Sequence, residues 1–592
     1  MDHRGTQKNL KNYAESVNNH INRNNYLYTL LLIIGLAEVL INPIGEFTLN
    51  DDWAYAKMVK NYVLDNRIYS PNAGGSIFIF QLYIGAFASK IFGFSLTLLR
   101  FIGIIIGGLG IIAMHQILMQ MTNSKKFAII GSLLFGMNPI YLNGSNSFHT
   151  DVPTTFFMLL SFYWFIKYFK TRTINSYALG VIFSIIACAI KQTSVSIGIA
   201  FSIFYIIGTK KTIRNIIIGI LPFTLMGSFI FIYFYAVTYF NLDWPGAYFS
   251  RTYNWSTLQK LLNPDYATFK QMSYHLITTT LSLGIFVSPI ALPYTFKAFY
   301  SREIKLFNYV LLTFALLLII LILGIKIYLR SKQGVMGGGI WYMPFVGYNI
   351  YDFGIGPLYN TGISPNEIPG VFVAGIAFWF IVSIIGAISF ISFLNIIILT
   401  KNNCFTPLVL SGKMIFPPFF PFMIMLISFI PYLFLYPHAK YLTLYFPFMI
   451  ITIISALNIM REKNCQFNQI PIKTLITCTI PIIMFGIIGT RDYMSFNRTK
   501  WDALNHLTET EKIPIEKIDG GFEFNEWHFS HLYTWKMTDD PYKKGRFWPV
   551  VDDEYIVTVT EIEGYEIYKQ FKYKRWLPPG KHNINVLRRT TR

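Results

Sequence analysis

The chain has 592 residues, 53% hydrophobic, 17% aromatic and only 14% charged, with a net charge of +20 and a mean hydropathy of +0.42. A soluble domain carries about 25% charged residues, and the apolar excess here comes in blocks of about 20 residues, the length that crosses a bilayer as a helix. Composition therefore excludes a soluble globular protein. Nucleic acid is not an expected partner either, because the basic residues cluster in short loops between apolar blocks, where they orient a membrane protein.

The blocks predict an all-α polytopic membrane protein of about thirteen crossings with a small extracytoplasmic α/β domain at its C-terminal end. A basic tail, 1–25, stays cytoplasmic. The first crossing, 26–44, is too long for a cleavable signal and delivers an external loop, 45–95, in which 76–93 reads as peripheral or re-entrant. Crossings follow at 96–119, 127–143, 154–170, 174–190, 195–208 and 215–240. Gly103 and Gly107 give the second of these crossings a small-xxx-small pattern suited to close packing.

Two long external loops, 241–275 and 330–369, are rich in aromatics, Gly and Pro. Between and beyond them lie crossings at 276–298, 307–329, 371–399, 414–436, 441–460 and 472–489. The transmembrane unit thus spans 26–490. From Arg491 the composition turns soluble: a helix is expected to open at Trp501, strands over 548–576, and 491–592 forms the external domain. The four cysteines, Cys188, Cys404, Cys465 and Cys478, show no C-x-x-C spacing. The expected location is the bacterial inner membrane, N-terminus inside and C-terminus outside.

Loop parity gathers four polar sites on the external side. Asp51 and Asp52 follow the first crossing, and His149 and Asp151 sit before another, in Phe148-His-Thr-Asp-Val-Pro153. Lys191 and Gln192 separate two crossings, and Lys440 and Tyr441 lie between two aromatic-rich ones. Each has an ordinary reading. Asp51, Asp52 and Asp151 are all placed to cap helices, and a lysine at a span end snorkels to the interface. An isolated cation on the external side more often serves a ligand, however. Two carboxylate sites and two cation sites around one cleft suit transfer of a sugar from a lipid phosphate to an acceptor hydroxyl. A carboxylate serves as general base and lysines stabilise the departing phosphate.

On these residues, and on Gly93–Arg100 and Lys440–Pro447, the chain resembles the GT-C superfamily of membrane glycosyltransferases. It is similar to the protein O-mannosyltransferases and the lipid A aminoarabinose transferases. The resemblance implies Asp51 as catalytic base, Asp151 assisting at the acceptor or metal position, and a polyprenyl-phosphate sugar donor. It leaves open a divalent metal at Asp51 and Asp151, and a glycan, lipid or protein acceptor. Where relatives carry a Lys-Pro-Pro-like stretch, this chain has Ser70–Gly75, which shifts the donor-phosphate role onto Lys191 and Lys440. A lipid-linked transporter or flippase is the alternative. It fits less well, because transporters place ionisable groups near the midplane and here only Glu38 lies deep in a span.

Overall fold

The computed structural model describes residues 27–70, 74–247, 262–300, 346–350, 353–355, 376–400, 408–410, 413–415, 417–433, 438–462, 470–530, 536–537, 547–548, 550, 553–577 and 579–590. The expected cytoplasmic tail 1–25, the crossing 307–329 and most of the loop 330–369 lie outside the described residues.

Helix α1 (Leu27–Ile41) leads into a loop and then α2 (Asp52–Asp65), α3 (Ile79–Phe92) and α4 (Leu96–Thr122). Helix α3 has 14 residues, about 21 Å at 1.5 Å per residue, well short of a ~30 Å hydrocarbon core. Helix α4 starts where the Ser95 hydroxyl accepts from the Leu98 N–H (2.9 Å) and stops at Asn123 in the left-handed region.

The expected crossing 127–143 is two helices, α5 (Lys125–Gly136) and α6 (Pro139–Ser145), bent by 66°. Asn138-Pro139 causes the break: Pro lacks an N–H to continue α5, whereas at the first position of α6 it is well placed. The Asn138 side chain accepts from the Ile140 N–H at 3.0 Å. Helices α7 (Asp151–Thr171), α8 (Ile174–Ile190), α9 (Ser196–Gly208) and α10 (Ile213–Tyr239) follow. The membrane part is completed by α11 (Tyr266–Tyr300), α12 (Val346–Ile350), α13 (Ile376–Leu399), α14 (Phe419–Phe429), α15 (Phe446–Glu462) and α16 (Ile472–Asn505).

Among the described residues, five helices are long and apolar enough to cross a membrane, or six if the bent pair counts as one span. The thirteen expected crossings are not reached on that measure: α1, α8, α9 and α14 fall among apolar helices of 10–17 residues, α7 and α15 are not among the candidate spans, and 307–329 lies outside the described residues.

Helix α16 departs from the expected boundary. Its 34 residues run unbroken from the apolar 472–489 segment through Arg491 to Asn505, about 51 Å in all. No helix opens at Trp501, since 490–505 contains no Gly or Pro to interrupt the backbone. A four-stranded sheet packs beside its C-terminal half, with strands β3 (Ile518–Asp519), β6 (Tyr555–Thr558), β7 (Tyr565–Trp576) and β8 (Pro579–Arg589) in the order β3-β6-β8-β7. The short pairs β1–β2 (Leu408–Leu410 with Lys413–Ile415) and β4–β5 (Lys536–Met537 with Phe547–Trp548) stand apart. Helix α17 (Phe522–Phe529) docks on α2: Lys57 donates to the Trp527 carbonyl and the Ser530 hydroxyl, both at 2.9 Å, and Trp53 meets Phe522 edge-on.

Candidate active site

The four polar sites converge. Lys191 Nζ lies 2.5 Å from Asp151 Oδ1, and the Lys440 ammonium is paired with Asp51 Oδ2. The Tyr441 ring sits beneath both cations, 4.5 Å from Lys191 Nζ and 5.8 Å from Lys440 Nζ, and stacks on Tyr432 with centroids 4.6 Å apart. Residues far apart in sequence thus form one cluster.

Local chain geometry explains each position. Asp51 precedes the first turn of α2 and Asp151 opens α7, where a helix N-terminus favours an acid. Neither acid serves as the side-chain cap that sequence suggested. Lys191 is extended (φ −147°, ψ 121°) in the break between α8 and the single turn Gln192–Val195, which frees its side chain from either helix. Gln192 Nε2 donates to the Gly75 carbonyl at 2.7 Å, tying this break to the loop before α3. Lys440 and Tyr441 lie in the 3₁₀ turn Ala439–Leu444, whose Thr443 carbonyl accepts from the Thr155 hydroxyl of α7 (3.1 Å).

Asp52 is unlike its neighbour. Its buried carboxylate accepts from the Leu49 N–H at 2.7 Å and, more weakly, from the Phe148 N–H at 3.4 Å, so it joins the two acidic loops. Behind it Arg100, 2% exposed, donates to the carbonyls of Pro43 (2.6 Å), Gly45 (3.0 Å) and Phe47 (2.6 Å). Burial pushes the Asp52 carboxyl up to about 7, against the opposing pull of the Leu49 N–H and Arg100. Asp52, expected with Asp51 and Asp151 to be catalytic, thus lies buried between the two acidic loops.

Burial also pushes Asp51 up, but Lys440 and His149 outweigh it and hold the carboxyl down to about 2. The Asp51 side chain stays 41% exposed, the most open of the four ion-pair members, so solvent screens its attraction to Lys440. The Lys440 ammonium is pulled down by burial and held above its ordinary range by Asp51. His149 is brought down to about 4, by burial first and Lys440 second, and is neutral at pH 7. Its ring meets Tyr55 edge-on at 6.4 Å.

A divalent metal at Asp51 and Asp151 does not suit this donor set. Each carboxylate already holds an ammonium, and the described residues contain no group of three or more His, Cys, Asp or Glu arranged to ligate an ion.

Several contributors escaped the sequence reading. Gln81 Nε2 donates to the carbonyls of Phe148 (3.2 Å) and His149 (3.4 Å), while Tyr55, Ser76 and Thr150 form a hydroxyl chain with spacings of 3.3 and 3.2 Å. His438 packs edge-on against Tyr441 at 5.7 Å. The lone amide of Gln81 in the run Phe78-Ile-Phe-Gln-Leu was the one available signal.

Residues 79–241 match the family described as dolichyl-phosphate-mannose-protein mannosyltransferase, and the chain resembles the GT-C membrane glycosyltransferases. An uncharacterized protein of Aquifex aeolicus is 25% identical over 191 residues, which is 31% of this chain and 38% of that relative. Two crystal structures of ArnT from Cupriavidus metallidurans align along nearly the whole chain. The apo form has 11% identity and a TM-score of 0.41, covering 95% of this chain and 98% of ArnT. The form bound to undecaprenyl phosphate has 10% identity and a TM-score of 0.41, covering 94% and 97%.

Proposed function

We propose that this integral membrane protein, with its likeness to the GT-C glycosyltransferases, moves a sugar from a polyprenyl-phosphate donor to an acceptor hydroxyl at the extracytoplasmic face. The family match over 79–241 supports the reaction class. The paired arrangement of Lys440 with Asp51 and Lys191 with Asp151 around Tyr441 carries the reading, because it supplies base and phosphate-binding charge together. The unit 26–490 would hold the reaction, with 491–592 outside the membrane. The acceptor is a glycan, a lipid or a protein hydroxyl.

In this reading Asp51 removes the proton from the attacking hydroxyl. The new bond forms between the acceptor oxygen and the anomeric carbon as the bond from that carbon to the phosphate oxygen breaks. Polyprenyl phosphate leaves with the bonding pair, and Lys440 and Lys191 stabilise its charge. A carboxylate held near 2 is a poor base, since a general base works best near the operating pH. The donor phosphate competes for Lys440. Once that cation turns to it, burial of Asp51 loses its main opponent and the carboxylate becomes more basic. Donor binding thereby readies the base.

The test is to incubate purified protein in nanodiscs with radiolabelled polyprenyl-phosphate sugars and a cell-envelope extract. Release of polyprenyl phosphate with label moving to the extract is expected. Movement of intact donor between leaflets with no cleavage would overturn the reading.

A further inference from the structure

The β7–β8 hairpin lies antiparallel to the C-terminal half of α16, and its turn points back toward the apolar half of that helix. Contacts fix the direction: Lys569 meets His506, Tyr573 meets Phe496 (5.8 Å), and the Lys574 carbonyl accepts from Arg491 (2.7 Å). At the tip, the Asp492 carboxylate accepts the N–H groups of Trp576 (2.9 Å) and Leu577 (2.8 Å), and the Arg491 guanidinium covers the Trp576 ring at 4.5 Å. The tip therefore sits at the level where α16 leaves its apolar segment, whose Ile476, Ile480 and Met484 are exposed.

Alternation along the strands sorts the side chains. Phe571, Tyr573, Arg575 and Ile584 face α16 or are largely covered, while Lys572, Lys574 and Trp576 share the other face with Lys581. Trp576 is 37% and Leu577 44% exposed. Lys574 is the direct cross-strand partner of Lys581. Like charges in that relation destabilise a sheet, and among the described residues neither lysine forms an ion pair.

We propose that this hairpin tip is a membrane-surface anchor, with Trp576 and Leu577 entering the headgroup layer and Lys574 and Lys581 binding phosphates of anionic phospholipid. The dimensions agree. Lys574 and Lys581 stand two residues, about 7 Å at ~3.4 Å per residue, from the Trp576–Pro579 pair that ends the ladder, and a headgroup layer is about 5–8 Å deep. Trp favours that layer, and anionic phosphates relieve the lysine pair. The apolar tip continues the lipid-facing side of α16, so no separate partner is needed to cover it.

The full chain, with its four cysteines replaced and a nitroxide at Leu577→Cys or at Glu563→Cys in the turn between β6 and β7, at the other end of the hairpin, is placed in nanodiscs of phosphatidylcholine with or without phosphatidylglycerol. Oxygen should relax the label at 577 more strongly than an aqueous nickel chelate does, with the reverse at 563. Adding Lys574→Glu and Lys581→Glu should move the 577 label outward, most in the anionic discs. A 577 label as aqueous as 563 in both lipids overturns the anchor. An embedded label indifferent to both charge reversals overturns the phosphate contacts. Should the cysteine-free chain fail to insert, hydrogen exchange of the unmodified protein decides. Tip amides several-fold slower in anionic discs than in phosphatidylcholine support the anchor, and equal rates refute it.

Discussion

The Lys440 ammonium rests on the Asp51 carboxylate while Lys191 rests on Asp151, and the two pairs differ mainly in how far water reaches them. Side chains of the inner pair are 9% and 5% exposed, those of the outer pair 23% and 41%. The outer pair can open to substrate at little cost, since exposed pairs contribute roughly 0–1 kcal/mol.

Asp51→Asn removes the proposed base and leaves the shape of the side chain. Turnover should fall by about 10²–10⁴-fold, with membrane insertion unchanged and only the small stability of an exposed ion pair, about 0–1 kcal/mol, lost. Retention of wild-type turnover in a polyprenyl-phosphate release assay would take Asp51 out of the mechanism.

The two lysines, both placed at the leaving phosphate, should differ in what their loss costs the fold. Lys440→Met is expected to raise the donor KM and lower kcat with little loss of stability. Lys191→Met strands a buried carboxylate, a loss of about 3–5 kcal/mol, and adding Asp151→Asn should restore most of it. Thermal melting of the single and double variants measures the coupling. Equal effects at the two lysines would contradict the division.

Asp52 gives a stability signature with a definite sign. Its carboxyl is raised to about 7 in the folded chain, so between about 4 and 7 the folded state holds a proton that the unfolded state has released. Stability from this group is complete below the unfolded value of about 4 and is lost as pH rises through 7. The swing has an upper bound of about 4 kcal/mol. Asp51 acts oppositely: held near 2, it contributes stability above about 4 that disappears as pH falls from there toward 2. Asp52→Asn should flatten the 4–7 limb of a melting-temperature profile while leaving the more acidic limb in place.

The polar cluster was legible because its members stand at chain breaks in a strongly apolar sequence, where loop parity alone put Asp51, Asp151, Lys191 and Lys440 on one side. Their pairing was not legible, since which lysine meets which acid depends on how α7, α8 and the 439–444 turn pack. Asp52 looked equivalent to Asp51 because adjacent residues share composition; only the reach of the Leu49 and Phe148 N–H groups divides their roles. The break at Asn138-Pro139 was readable but lost in an otherwise continuous apolar run. The polar turn at Arg491 suggested an element boundary, yet α16 continues because its polar side chains, Asp492 and Lys500 among them, find partners in the hairpin and in Glu523.

Gly103 offers a test of how closely the second crossing supports the site. The expected helix-packing glycine instead faces a turn: a Cβ there would lie 2.4 Å from the Ser147 carbonyl oxygen and 2.7 Å from that of Ser145. Both contacts are backbone atoms of the segment that carries Phe148, His149 and Asp151, so relief requires the segment to move. Gly103→Ala should cost about 1–3 kcal/mol as overpacking and displace Phe148 N–H from Asp52. Gly108, with open space around its added Cβ, is the matched control on the same helix, and Gly108→Ala should leave melting and turnover near wild type. If Gly103→Ala lowers melting temperature while kcat stays intact, α4 supports the fold without setting the geometry of the 148–151 turn. A loss of kcat exceeding that expected from reduced folded protein would place the α4 contact within the machinery that holds His149 and Asp151 opposite their lysines.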